Sequence, residues 1–123
     1  MQDILQPIIH KAPVMGLRVN VTRAGLCIGD AAQLHLLTDG QIGIFAKGRK
    51  RLLGIFPRKV LLHLGHLGPA AVAIIGGAIA QGQHLRVRIV ALTPEHLSKE
   101  AGPEVHISIW GDALRLQSHR AML

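Results

Sequence analysis

The chain has 123 residues, of which 49% are apolar and 17% charged, and its 14 Lys and Arg against 7 Asp and Glu give a formal net charge of +7. A chain of this size buries roughly two-thirds of its unfolded surface in one core, and its apolar content excludes the low-hydrophobicity, high-charge regime of disorder. The lone Cys27 excludes an intrachain disulfide framework, and the longest apolar run, Pro69 to Ala80, is too short for the roughly 20 residues a membrane-spanning helix requires.

A single domain over 1–123 is expected. Met1-Gln-Asp-Ile-Leu-Gln-Pro7 carries Asp3 and has neither a cationic segment nor a long apolar one, so it is not read as a secretory signal. With one thiol, the expected compartment is reducing, hence cytoplasmic, and no membrane partner is expected. A loose start is expected before Pro13. Leu17-Arg-Val-Asn-Val-Thr22 alternates with period two and reads as a strand, with Leu17, Val19 and Val21 inward. Gly29-Asp30 turns into a second strand at Gln33 to Leu37, and Thr38-Asp-Gly40 turns into a third at Gln41 to Ala46 with Ile42 and Ile44 on one face. A tight turn at Lys47-Gly48-Arg49 and a returning strand from Arg51 to Phe56 complete a four-stranded meander.

Pro57 suits a first helical position, and Val60, Leu61, Leu64 and Leu67 recur at helical spacing, predicting a helix of about ten residues. The wholly apolar run at 70–80 fits a second helix or a buried strand, and helix is the preferred reading. Gln83 to Ala91 returns to period two, with Arg86 and Arg88 on one face. Thr93-Pro-Glu-His96 predicts a capped helical turn, Val105 to Trp110 a strand, and Ala113 to Gln117 its hairpin partner. The expected fold is mainly β with one or two helices (α+β), a small barrel or curved antiparallel sheet capped by a helix.

Catalytic and metal chemistry find little support. His63 and His66 lie three apart, with His84, His96 and His106 as further ligand candidates, but the basic segment that carries His63 and His66 contains no carboxylate to orient such ligands. Ser98 and Ser108 lack any nucleophile-elbow signature, Gly76-Gly77 lacks the lysine of a phosphate loop, and Cys27 reads as a small core residue. No enzyme activity, metal or other cofactor is expected. The cations carry the signal. Lys47 to Lys59 gathers Lys47, Arg49, Lys50, Arg51, Arg58 and Lys59 into a basic hairpin, and Arg86 with Arg88 add two more on a strand. Such clustering suits backbone phosphates. Base stacking is a minor contributor, because Tyr is absent and only Phe45, Phe56 and Trp110 are aromatic.

The order Val14-Met-Gly16, Gly29-Asp30 before Leu34 and Leu36, a strand with Ile42 and Ile44, then Leu53-Gly-Ile-Phe-Pro-Arg58 leading to an apolar helix and a strand at 85–91, resembles the HIRAN domain over roughly residues 14–91. The resemblance implies a small barrel with an appended helix and association with single-stranded DNA ends, and leaves 92–123 as a C-terminal strand extension outside the matched core. Two features depart from that family. Leu36-Leu-Thr-Asp-Gly-Gln-Ile42 stands where an Asn-Pro-x-Asp-x-Asn-Ala-like segment is usual, and Val19 and Asn20 stand near expected aromatic positions. Two functions follow: a nucleic-acid or polyanion-binding module using the basic hairpin, or a protein-interaction module, homo-oligomer included, using the 69–80 segment or an edge strand.

Overall fold

A computed structural model describes residues 6–52, 56–100 and 102–111. Six strands form a closed antiparallel barrel: β1 (Gln6–Met15), β2 (Ala31–Leu36), β3 (Ile42–Leu52), β4 (Phe56–Leu67), β5 (Arg86–Thr93) and β6 (Glu104–Gly111), in the order β1-β4-β3-β2-β5-β6. Two helices accompany them, α1 (Val21–Ala24) and α2 (Pro69–Ala80). The expected mainly-β fold with a helix on a small barrel is therefore the observed one. No helix among the described residues is long and apolar enough to cross a membrane.

Period-two alternation fills the barrel. Ile42, Ile44, Val87, Ile89, Val105, Ile107 and Ile109 point inward and are essentially inaccessible. The run at 69–80 forms the preferred helix, with Pro69 in its first turn, and it sets Ala71 and Ile75 into the same core as the strands. The strand β6, outside the stretch that carries the family resemblance, pairs with both β1 and β5 and so closes the barrel.

Several expectations need correction. The segment at 17–22 is not a strand: Gly16 takes φ 59° and ends β1, and Asn20 Oδ1 accepts from Arg23 N at 2.9 Å to cap α1. Leu17, Val19 and Val21 still pack on the core, so their alternation reflects burial without pairing. Of the start expected to be loose before Pro13, the described part, from Gln6, is strand, and residues 1–5 lie outside the described residues. From Gln6 to Pro13, β1 pairs with β6 alone among the described residues, and that one-sided pairing, with register shifts after Pro7 and Ile9, tolerates two prolines.

The expected turn at Lys47-Gly48-Arg49 is continuous strand, and three strands, not four, precede residue 56. Gly48 marks a close approach instead: a Cβ there would lie 2.6 Å from Leu62 Cδ1 and 3.0 Å from the carbonyl oxygen of Ala24. The helix expected after Pro57 is β4, paired with β3 through ten residues from His66 opposite Gly43 to Phe56 opposite Leu52. Its period of two is masked by a bulge. Ile44 faces Gly65 but Phe45 faces His63, so the inward positions change parity at Leu64, and the apolar set at 60, 61, 64 and 67 imitates a helix.

The capped turn after Thr93 is a single 3₁₀ turn, Glu95–Leu97, preceded by Pro94 and lacking a side-chain cap of its own. Glu95 serves α1 instead, accepting from Val21 N at 2.7 Å and Thr22 N at 3.1 Å across 73 residues or more. Desolvation acts to raise its pKa, but the hydrogen bonds from Val21, its own backbone and Thr22 outweigh that and hold it below the ordinary value. A lowered native pKa gives stability that is present above the unfolded-state pKa and lost as pH falls through the native one. Glu95→Gln is thus expected to cost about 1 kcal/mol at neutral pH, as a lost cap does, and progressively less as pH falls through the lowered native pKa of Glu95; thermal melts of parent and variant from neutral pH down through the acid range measure both. The strand expected at 113–117 lies outside the described residues.

Candidate polyanion-binding surface

Beyond the barrel, β3 and β4 continue as a two-stranded ribbon. The pairing of β3 with β2 ends at Ala46, and that of β4 with β1 covers only His66 and Leu67. Six consecutive pairs, from Lys47 opposite Leu61 to Leu52 opposite Phe56, are therefore flanked by no third strand among the described residues. At about 3.3 Å per residue they span about 17 Å. Every cation of the sequence-predicted hairpin lies in this ribbon, although the reversal falls after Leu52 and not at Gly48.

The ribbon's register sets like charges opposite one another. Arg49 faces Lys59, and Lys50 faces Arg58 on the opposite side of the ribbon, because side chains alternate. All four are exposed. No Asp or Glu stands among the described residues of the ribbon itself; Asp30, which accepts from Cys27 N at 2.9 Å, lines a recess with Lys47 and Lys59, while Asp39 accepts from Gln41 N at 3.0 Å and Glu95 caps α1. Like charges directly opposite in a sheet destabilise it by a few tenths of a kcal/mol per pair.

The charge continues around the barrel wall. Lys47 stands one residue beyond the Ala46 and Ala32 pair, Ala31 pairs with Arg88, and Arg86 pairs with Trp110. Lys47 and Arg88 thus lie two strand spacings apart, about 10 Å, with only the small Ala31 between them. Trp110 is 36% exposed beside Arg86 and donates its indole N–H to Ser108 Oγ at 3.2 Å. A recess of about 310 Å³ between Asp30, Gln33, Lys47, Lys59 and Leu61 joins the ribbon to this wall.

A second cleft, of about 340 Å³, opens at the base of the ribbon and is lined by Arg18, Arg23, Arg49, Lys50 and His63, with no carboxylate. Sequence reasoning missed Arg18 and Arg23 here. The available signal was Asn20, a strong cap residue whose recognition predicts the helical turn that carries Arg23. One of the guanidiniums, that of Arg18, is held by a hydrogen bond. Arg18 Nη1 donates to His63 Nδ1 at 2.9 Å, and His63 Nε2 donates to the carbonyl oxygen of Gly65 at 2.9 Å. A guanidinium can only donate and a carbonyl can only accept, so His63 is the neutral tautomer protonated on Nε2. Its ring also stacks on Phe45 at 4.6 Å, which in turn meets His35 edge-on at 5.2 Å. Arg49 is accommodated by Gly25, where a Cβ would stand 2.6 Å from Arg49 Nε.

Comparison of the chain with family models, with curated proteins and with solved structures found no match. The remaining chemical candidates find no assembled site. His63 and His66 lie on a strand, not a helix face, and no group of three or more His, Cys, Asp or Glu among the described residues is arranged to hold a metal ion. Cys27 is exposed, not a core residue, because it sits in the turn that Asp30 organises. Ser98 Oγ donates to the carbonyl oxygen of Glu95, and Ser108 is buried beneath the Trp110 contact.

Proposed function

We propose that this chain is a non-catalytic nucleic-acid-binding module that grips backbone phosphates with the β3–β4 ribbon, assisted by Arg86 and Arg88 on the barrel wall. The observation that carries the reading is the pair of like-charged facings, Arg49 with Lys59 and Lys50 with Arg58, on a ribbon whose described residues include no neutralising carboxylate. A ribbon selected only for stability would alternate the signs. Cations on both faces of a projecting two-stranded ribbon suit a groove, and a duplex major groove admits such a ribbon. The exposed Trp110 beside Arg86 offers one stacking surface. The reading stands independently of the HIRAN resemblance, which would add single-strand ends as the target. A reducing, cytoplasmic setting suits the exposed thiol of Cys27.

A protein-interaction module is the alternative, supported by α2, which carries no charged residue and leaves Ala70 and Ala73 outside the core. Edge pairing by the ribbon is the weaker form of that alternative, because lysines on a free edge oppose it. Lys59→Glu separates the readings. It places opposite charges across the ribbon, so the melting temperature is expected to hold or rise slightly while affinity for an oligonucleotide falls about tenfold. Unchanged affinity with a lower melting temperature would assign Lys59 to the fold and not to a ligand.

A further inference from the structure

The two cationic surfaces differ in form. Along the outer wall, Lys47 on β3 and Arg88 and Arg86 on β5 are spread to either side of β2, an arrangement for successive charges along a polymer. At the base of the ribbon, Arg18, Arg23, Arg49 and Lys50 converge on one concave space of about 340 Å³. Convergence suits a single group of concentrated charge. A phosphodiester carries one negative charge, whereas a phosphomonoester carries about 1.5 to 2 at pH 7 and presents three strong acceptor oxygens.

From this geometry we infer that the cleft is a receptor for a phosphomonoester, the phosphorylated terminus of the strand whose backbone lies on the ribbon and wall. The inference rests on the nucleic-acid reading above. Two features mark a prepared site. His63 holds the Arg18 guanidinium through Nδ1 while its own orientation is fixed by Gly65 O and by the Phe45 stack. The bare Cα of Gly25 leaves room for the Arg49 side chain at the lip. Planar guanidiniums with fixed orientation match phosphate oxygens in pairs, and prior positioning removes much of the ordering cost of binding. Asn20, also in the cleft wall, has its side-chain oxygen engaged in capping α1, so it turns no free acceptor toward the anion.

The experiment compares oligonucleotides of one sequence with a 5′-phosphate, a 3′-phosphate or hydroxyls at both ends, by fluorescence anisotropy on the full chain. One phosphorylated form is expected to bind at least tenfold tighter than the hydroxyl form, and which one identifies the end. In Arg18→Gln and, independently, Arg23→Gln, the preference is expected to collapse while affinity for the hydroxyl form is nearly retained. Lys59→Gln, on the ribbon away from the cleft, is expected to weaken all three forms by a common factor and keep the preference. Equal binding of all three by the parent overturns the terminal-phosphate site and leaves the backbone-binding reading standing. Absence of binding to any of them overturns both. A preference unaffected by either arginine variant places the end elsewhere and overturns the cleft.

Discussion

Replacing Arg49, Lys50 and Arg51 together with glutamine is expected to lower affinity for nucleic acid roughly a hundredfold at low salt, with little dependence on sequence. Each cation that neutralises a phosphate releases condensed counterions, so affinity falls with salt at about 0.9 log units per contact on duplex and about 0.7 on single strands. Removing three contacts should therefore flatten the slope by about 2.7 units on a duplex and about 2 on a single strand. The fold should hardly respond, since Arg49 and Lys50 are exposed and face cations. A stability change within about 0.5 kcal/mol is expected, typical of surface positions. Loss of binding accompanied by loss of the folded state would deny the ribbon its role.

Gly65→Ala is expected to be the most damaging small substitution in the barrel. A Cβ at that position would collide with the carbonyl oxygen of Met15 and stand 2.7 Å from Val14 Cγ1, where β4 meets β1. Two register pairs, Val14 with Leu67 and Met15 with His66, make up the β1–β4 seam, so there is little pairing to absorb a displacement. Backbone cannot rotate away as a side-chain tip can. Overpacking of this kind costs about 2 to 3 kcal/mol, and a melting temperature lowered by about 10 °C is expected. Because Gly65 O also fixes His63, the same variant should disorder the cleft and erase any preference for a phosphorylated end. A variant as stable as the parent would contradict the close approach of the two strands.

What is legible in the sequence follows the range of the forces involved. Strands β2, β3, β5 and β6 are legible because each buries one face, and burial imposes alternation on residues such as Ile42, Ile44, Val87 and Ile89. In β4 the same physics operates, but the bulge at Leu64 changes the inward parity and leaves a helix-like spacing of leucines. The α1 turn depends on Glu95, a partner supplied from beyond β5, and no window around Val21 contains it. Gly48 reads as a turn because local sequence cannot distinguish a glycine needed for its dihedral angles from one needed for the approach of Ala24. The candidate surface divides in the same way. Six cations close in sequence point to one hairpin by proximity alone, although their facing pairs depend on a register that a turn at Gly48 would shift. Arg18 and Arg23 join Arg49 and Lys50 only through the folding of α1 against the ribbon, so the cleft is a property of the tertiary structure.

The central claim, that the ribbon binds phosphates, is tested most directly by the salt dependence of the unmodified chain's affinity. Titration of a single-stranded and a duplex oligonucleotide, and of poly-glutamate as an acidic polymer without phosphates, at about 50 and about 200 mM salt separates the possibilities. Six or more phosphate contacts predict a loss of about three orders of magnitude in duplex affinity over that interval, with poly-glutamate bound more weakly than either nucleic acid at the lower salt. Affinity that is unmeasurable at the lower salt, or that stays constant to the higher, would contradict the account and turn attention to the apolar surface of α2.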